Sequence, residues 1–579
     1  MNYLLFTPYS GNVDTVKSSA VRGETASPGY YAAELVDYGA RFELTADRFA
    51  ACHRYAFTGA GGCVRVNFTH AGFRRDIFGG RKNYAEEVNE YEVRHAGGGD
   101  WRGYLVLGGL KRYFCLKIGG GEGRYADGVL TVSYSGRSAT TFIGFSDENE
   151  DEAVARAEAS EAAGFDGVRS AAVSEWESVL GDVKVELANE ADRRRFYSAL
   201  YHSCIKPVEY RKGRYVEFAT TWDTYRTQLP MVFTLCRRYG REIALSMLKT
   251  SEELGFFPNC YLHHNRLRHN DVQASALGAY VVADACFRGL LGKAEYPWIK
   301  EFFRREFSTT DISNRAASHA LDLGGAYHAA AEAAALFGDS ESAAEWSKAS
   351  EVWRMAYDPE TGYLRRAKSL YEGDERNYAF RVHVGMNDRI RLAGGVEKFE
   401  LMLNDFFAVG QDLSGWTPAK DRYARRGRFE GLNNEADMNS PLSWYWIGRA
   451  DRVVEVHDLI RRCRFADGEG ALPGNNDGGA LSSWYVWSCL GVYPVSGTPY
   501  SMLVSPLVDS ADVPFAGGRL TIRVKRESPK SIYPVDFAFN GKVSRNPWIK
   551  TSTLVAGGEL VFRLSDKPGA KTAVPGFLK

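Results

Sequence analysis

The stretch LPGNNDGGALSSWYVWSCLGVYPVS, residues 472–496, joins a turn-rich polar segment to an apolar, aromatic run. Asn475 and Asp477 lie two residues apart on a bend flanked by glycines, and such a backbone can direct short polar side chains into a cavity. The run that follows predicts a helix carrying Trp484. An Asn/Asp segment before serine and an apolar run is also ordinary helix-capping chemistry. By itself the stretch leaves two interpretations open, a loop of a binding site and a helix cap.

The composition is typical of a soluble, globular protein with several domains. The 579 residues exceed what one hydrophobic core supports, and the mean hydropathy is −0.32. The 72 basic and 72 acidic side chains cancel, which argues against a nucleic-acid-binding surface. No apolar run approaches the roughly 18–20 residues of a membrane span, and the first residues lack the features of a signal peptide. The nine cysteines show no CxxC spacing, so we expect mostly free, buried thiols and no zinc site.

The periodicity of the apolar residues changes along the chain. Residues 1–147 contain short alternating runs separated by glycine turns, which predict a two-sheet β domain. Residues 148–187 begin with an acidic, alanine-rich run and predict a helical linker. Helical periodicity dominates residues 188–496, and without a fixed repeat it favours a toroid of helical hairpins. Alternation returns in residues 497–579, a β-rich segment in which Asn540-Gly541 predicts a hairpin turn.

The helical region contains two clusters that combine a carboxylate with aromatic or glycine neighbours. In TTWDTYRTQLPM, Trp222 and Asp223 can offer a sugar a stacking face and a hydroxyl acceptor, whereas Asp223 and Arg226 can also simply pair on a helix. In YEGDERNY, Glu372 precedes Gly373 on a predicted loop, and taken alone it is more typical of a solvated acidic loop.

A third cluster, GLNNEADMNSPLSWYW at residues 431–446, is rich in side-chain oxygens. These belong to Asn433, Asn434, Glu435 and Asp437. Hard cations such as Ca²⁺ prefer such ligands, although the EF-hand pattern is absent and Asn or Asp before a helix usually caps it. The fourth cluster is the bend around Asp477.

Two of these carboxylates suit glycoside hydrolysis. That reaction needs one acid to protonate the leaving oxygen and one carboxylate to activate water or attack carbon. Glu372 and Asp477 are a candidate pair, and the sequence does not give the distance between them.

All four clusters fall, in order, on motifs of glycoside hydrolase family 92, the calcium-dependent exo-α-mannosidases, which the chain resembles over nearly its whole length. The similar segments are Trp222-Asp223 with Arg226, Glu372-Gly373 with Tyr378, Asn434-Glu435 with Pro441, and the loop of Gly474, Asp477 and Gly479 before Trp484-Tyr485-Val486. Segments outside the site, including SPGYYAAEL at 27–35 and YSMLVSPLV at 500–508, are similar as well.

The resemblance implies a multidomain β and α fold. It comprises an N-terminal β-sandwich at 1–147 that lacks its first part, a helical linker at 148–187, an (α/α)6 catalytic toroid at 188–496 and a C-terminal β segment at 497–579. It also implies an exo-α-mannosidase that hydrolyses terminal α-mannosyl linkages with inversion, α-1,2 being the expected linkage. In this enzyme Glu372 would be the general acid and Asp477 the general base beside Asn475.

The remaining implied roles concern the cation and the sugar. Ca²⁺ is expected at Asn434 and Glu435, and the substrate at Trp222, Asp223, Arg226 and Trp484. The expected partner is a mannose-containing glycan, without nucleic acid or a membrane span, and family relatives are often exported.

Departures from the family pattern keep two alternatives open. His383-Val384-Gly385 stands where the family usually has Pro-His-Asp, and Ala436 stands where Pro is usual. One alternative is a degenerate or truncated member that binds glycan without efficient hydrolysis, because altered surroundings can cost a site its positioning. The other is an (α/α)6 hydrolase or phosphorylase acting on another glycosidic bond.

Overall fold

A computed structural model describes residues 4–10, 18–69, 88–107, 110–211, 213–216, 218, 221–259, 273–365, 370–410, 429, 431–432, 434–468, 470–515 and 517–578. Its residues form two compact units, the first made mainly of Met1–Gly181 and the second beginning at Asp182. The four-part division predicted from composition is finer than these two units and stays a prediction. The predicted Asn433 ligand lies outside the described residues.

The first unit is a β-sandwich, as predicted. One sheet has four antiparallel strands, in the order Leu5–Tyr9, Gly62–Asn67, Val129–Tyr134 and Glu122–Ala126. The other has eight, in the order Val21–Ser27, Tyr30–Leu35, Ala40–Ala46, Ala50–Phe57, Ser138–Ser146, Leu110–Lys117, Asp100–Leu107 and Val88–Gly97. Alternating side chains of both sheets meet in one core, among them Val64, Val66, Leu130, Val132, Tyr55, Leu105, Phe114 and Leu116.

The predicted linker helix packs on this sandwich. It spans Glu150–Leu180, begins at the Asn149 cap and has non-helical backbone at Gly164. Its Ala153 and Ala157 pack on Cys115 of the eight-stranded sheet, and Phe165 joins a second apolar cluster with Cys52 and Phe142. Small residues allow this close approach: a Cβ at Gly144 of the sheet would lie 2.1 Å from the Ala153 carbonyl oxygen.

The second unit is helix-rich between residues 190 and 490. Its α-helices before residue 350 are Glu190–Cys204, Thr221–Thr224, Gln228–Leu235, Arg237–Leu254, Leu277–Phe287, Tyr296–Ser308, Ser318–Phe337 and Ser340–Ala349. Those after it are Glu375–Ala379, Met386–Leu392, Val396–Phe406, Ala450–Cys463 and Ala480–Leu490. Short 3-10 helices span Lys293–Glu295, Ser350–Ala356, Glu435–Asp437, Ser440–Ile447 and Asp477–Gly479. Several helices are apolar all round because they are buried on all sides, as in Leu277–Phe287.

A six-stranded mixed sheet ends the second unit. Its order is Lys184–Glu186, Ser510–Phe515, Gly518–Arg526, Gly558–Ser565, Tyr533–Phe539 and Lys542–Ser544. The first strand comes from the segment predicted as linker and pairs with a strand over 300 residues later, which local periodicity does not predict. The predicted Asn540-Gly541 turn is confirmed, with both residues at positive φ and Phe539 opposite Lys542. A smaller sheet joins Val492–Pro494, Tyr500–Leu503 and Trp548–Lys550, a hairpin joins Val208–Arg211 and Arg214–Val216, and a helix spans Thr551–Val555.

Two further predictions concern thiols and membranes. All eight cysteines in the described parts of the chain are free thiols, and most of them are buried. Among the described helices, none is long and apolar enough to cross a membrane.

Candidate active site

The four clusters found in the sequence converge in the second unit. Carboxylate oxygens of Asp223, Glu435 and Asp477 all lie within 4.8 Å of one another, although Asp223 comes more than 200 positions before the other two residues in the chain. The fourth segment joins them because the Asn434 side-chain amide donates a hydrogen bond to Glu372 Oε2 at 3.1 Å. Folding thus assembles three carboxylates and a neighbouring fourth from four separate loops and short helices.

The segment carrying Asp223 is a single helical turn, Thr221–Thr224. Both the backbone N–H and the hydroxyl of Thr221 donate to the Asn259 carbonyl oxygen, at 2.9 and 3.0 Å, and this fixes the start of the turn. The Arg226 guanidinium lies 4.2 Å from the Trp222 ring centroid and donates to the Trp222 carbonyl oxygen. Trp222 is buried, and its ring stacks on that of Tyr378 with 5.8 Å between the ring centroids, so it packs behind Asp223 as part of the core.

The Glu372 loop is held by the helix that follows it. Asp374 and Asn377 form a capping box at the start of Glu375–Ala379. A Cβ at Gly373 would lie 3.0 Å from the Tyr378 ring, so the chain passes close over that ring. Glu372 itself has φ 47°, a strained backbone for a side chain of this kind, and is exposed. The Glu372 side chain is therefore exposed to solvent on a turn that the capping box fixes.

The orientation of Asn434 follows from its neighbour. Its Oδ1 accepts the Glu435 backbone N–H at 2.7 Å. Since a backbone N–H can only donate, this contact identifies the oxygen and leaves the Nδ2 group facing Glu372. An amide nitrogen is not a cation ligand, so the end of the Asn434 side chain that faces Glu372 does not bind a metal ion, and its Oδ1 already accepts one hydrogen bond.

Glu435 is the most unusual carboxyl group of the cluster. It is 2% exposed, and its Oε1 has no hydrogen-bond partner among the residues that the structure describes. Burial raises the pKa of Glu435 well above its ordinary value, and the negative charges of Asp223 and Asp477 raise it further. A buried carboxyl with an unpartnered oxygen beside two like charges is suited to a hard cation, which would satisfy the oxygen and neutralise the repulsion. The donor set therefore fits a divalent metal ion.

The Asp477 bend contributes to the carboxylate cluster and also caps a helix. Asp477, Gly478 and Gly479 all have positive φ. A Cβ at Gly479 would lie 2.7 Å from the His202 carbonyl oxygen, so this position requires glycine. Asn476 Oδ1 accepts the Ser482 backbone N–H at 3.1 Å in the first turn of Ala480–Leu490. Asp477 is partly exposed and Asn475 is exposed.

Trp484 lies inside the helix core behind this bend. It is fully buried, its indole N–H donates to the Met438 carbonyl oxygen at 3.0 Å, and its ring stacks on His457 and Phe465. Its predicted contact with substrate would require the side chain to leave the core. Asp437, another predicted oxygen ligand, is likewise buried and accepts a hydrogen bond from Asn377.

Sequence profiles of a known enzyme family match both parts of the chain. The glycosyl hydrolase family 92 N-terminal domain matches residues 1–156, and the family's catalytic domain matches residues 152–566. The chain belongs to glycosyl hydrolase family 92. This confirms the family, and with it the glycosidase class, that the sequence motifs indicated.

Solved structures of family 92 share the fold. The chain aligns with the α-mannosidase BT3965 from Bacteroides thetaiotaomicron with a TM-score of 0.86 at 20% identity, covering 99% of this chain and 86% of that one. The same enzyme is also known in complex with mannoimidazole. The inverting mannosidase BT2199 from the same organism aligns with a TM-score of 0.80 at 16% identity, covering 98% and 87%. A curated relative, described as an uncharacterized secreted glycosidase of Arthroderma benhamiae, is 21% identical over 93% of this chain and 79% of its own.

Sequence reasoning overlooked a buried ion pair next to the site. Arg381 donates to Asp322 Oδ1 and to the Tyr225 hydroxyl, each at 2.9 Å, and its guanidinium lies 5.3 Å from the Trp222 ring centroid. Asp322 is 0% exposed. A charged residue inside the alanine-rich helix Ser318–Phe337 was the available signal, because such residues are buried only when paired.

Proposed function

We propose that this family 92 chain is an exo-acting α-mannosidase that removes terminal α-mannosyl residues with inversion of configuration. The proposed linkage is α-1,2. The observation that carries the proposal is the convergence of Asp223, Glu435 and Asp477 within 4.8 Å beside Glu372. Hydrolysis of a glycosidic bond needs one carboxyl group as acid and another as base, and their pKa values must differ. The exposed Glu372 and the clustered carboxylates lie in different environments, which meets this requirement.

Glu372 is the proposed general acid. The Asn434 amide occupies a lone pair of Oε2, so Oε1 is the oxygen that carries the proton to the leaving group. Asp477 is the proposed base that activates water on the opposite face of the sugar, and the exposed Asn475 beside it supplies a further polar contact. Asp223 and Arg226 are proposed to bind the sugar ring, with Trp222 holding them in position.

Calcium is the proposed cofactor. Glu435 would hold it with Asp223 and Asp477, and it would supply Lewis-acid polarisation and a grip on vicinal hydroxyls. Asn434, expected as a ligand from the sequence, would contribute through the Glu372 contact instead. The proposed substrate is a mannose-terminated glycan. We also propose that the protein is secreted, as the fungal relative is described to be.

Mannose release from α-1,2-mannobiose tests this proposal directly. We expect release with added Ca²⁺ and its loss in EDTA, and a loss of about 10²–10⁴-fold in kcat for Glu372→Gln. Glu397→Gln, an exposed carboxylate on another helix of the same unit, is the matched control and should keep full activity. Proton NMR of the first product should show β-mannose. Release of α-mannose first would contradict inversion, and Ca²⁺-dependent glycan binding without turnover would identify a non-catalytic member.

A further inference from the structure

A tyrosine that no catalytic motif includes directly precedes the proposed acid. The Tyr371 side chain is partly buried, and the Gln273 side-chain amide donates a hydrogen bond to its hydroxyl oxygen at 2.9 Å. Gln273 is buried, which holds this contact away from competing water. Since the amide occupies an oxygen lone pair, the hydroxyl hydrogen of Tyr371 is left to donate elsewhere.

Glu372, the next residue in the chain, is an acceptor close to this hydroxyl, since its interaction with the hydroxyl is one of the influences on the pKa of Tyr371. Burial raises the pKa of Tyr371, the Gln273 amide lowers it, and the charges of Glu372 and Asp223 together with a hydrogen bond to Glu372 raise it again. The hydroxyl therefore keeps its proton and serves as a permanent donor. The backbone is fixed as well, because the Tyr378 hydroxyl donates to the Tyr371 carbonyl oxygen at 2.6 Å.

We propose that Gln273 and Tyr371 are positioning residues that, together with Asn434, hold the Glu372 carboxyl group for proton donation. This inference rests on the proposed function. As the glycosidic C–O bond breaks, the Glu372 proton moves to the departing oxygen and leaves a carboxylate. Hydrogen bonds from Tyr371 and Asn434 strengthen as that negative charge develops, so they stabilise the transition state more than the ground state.

Substrates with different leaving groups distinguish a positioning role of Tyr371 from a purely structural one. Mannobiose needs its departing oxygen protonated, whereas fluoride leaves α-mannosyl fluoride with little help from an acid. For Tyr371→Phe we expect kcat on α-1,2-mannobiose to fall about 10- to 100-fold, the range of one charge-assisted hydrogen bond. KM should stay within about 2-fold, and turnover of α-mannosyl fluoride should fall less than about 3-fold.

Two more variants complete the experiment. Gln273→Leu should show the same substrate dependence with a smaller loss, and it carries the test if Tyr371→Phe fails to fold. Tyr197→Phe removes a hydroxyl bonded to the Val183 carbonyl oxygen outside the site, and it should leave both substrates unaffected. Equal losses on both substrates, or no loss on mannobiose, would overturn the inference while leaving the proposed function intact. A wild-type protein that hydrolyses neither substrate would overturn the proposed function itself, and the inference with it.

Discussion

Replacing Glu435 with Gln should stabilise the protein when calcium is absent. Two negative charges within 4.8 Å of each other repel by at least about 3 kcal/mol at an effective dielectric constant of about 20, and Glu435 has two such neighbours. Burial and this repulsion both raise the pKa of Glu435 well above its ordinary value, so the fold favours the protonated form of the group. Holding a proton at pH 7 on a carboxyl whose ordinary pKa is 4.5 costs about 3 kcal/mol. Glutamine imitates the protonated acid without that cost.

Urea unfolding at pH 7 in EDTA measures this difference. We expect the free energy of unfolding of Glu435→Gln to exceed that of the wild type, by up to about 3 kcal/mol. The direction of the pH dependence follows from linkage between protonation and folding. A carboxyl group whose pKa is raised by folding leaves the folded state most stable below the unfolded pKa, and that stability is lost as the pH rises. The advantage of the variant should therefore shrink to less than about 1 kcal/mol at pH 5.

Calcium should remove most of this difference in stability. Free Ca²⁺ at 100 times its dissociation constant stabilises a protein by about 2.7 kcal/mol, and we expect this gain only where Glu435 is present as a ligand. With Ca²⁺ the two proteins should become nearly equal in stability, while only the wild type is active. Glu397→Gln should differ from the wild type by less than about 0.5 kcal/mol in both conditions. If Glu435→Gln is the less stable protein in EDTA, or gains as much from Ca²⁺ as the wild type, the reasoning about the carboxylate cluster is refuted.

Four further predictions concern single residues. Gly479→Ala should lower the free energy of unfolding by about 3 kcal/mol in urea, because it strains φ and brings a Cβ within 2.7 Å of the His202 carbonyl oxygen; unchanged stability would contradict this. Asn434→Leu should lower kcat on mannobiose about 10- to 100-fold and leave the Ca²⁺ concentration for half-maximal activity nearly unchanged, whereas a metal ligand would shift it strongly. Burial lowers the pKa of His383 to about 3, so the wild type should lose about 2 kcal/mol of stability between pH 6.5 and pH 5, and His383→Gln should flatten this slope. Burial raises the pKa of Glu306 to about 8, so stability is lost as pH rises above 4.5, and Glu306→Gln should gain about 3 kcal/mol over the wild type between pH 5 and pH 7; a pH-independent difference would rule this out.

Local patterns predicted much of the architecture. The strands Val129–Tyr134 and Gly518–Arg526 follow from alternation, the turn at Asn540-Gly541 from its dipeptide, and the first helix from its acidic, alanine-rich run. Such features depend on neighbours within a few residues, so one sequence suffices to read them. The strand Lys184–Glu186 was missed because its pairing partner lies far along the chain.

The sequence by itself determined the family, the β, helical and β order of the chain, and which residues are capable of acid, base and cation chemistry. Only the tertiary structure decided how those residues are combined. It grouped Asp223 with Glu435 and Asp477, turned the Asn434 amide toward Glu372 and buried Trp484 against His457. The physical reason is that a side chain's role depends on the hydrogen-bond donors, charges and water nearest to it. For these residues those neighbours come from segments as far as 254 positions away in the chain.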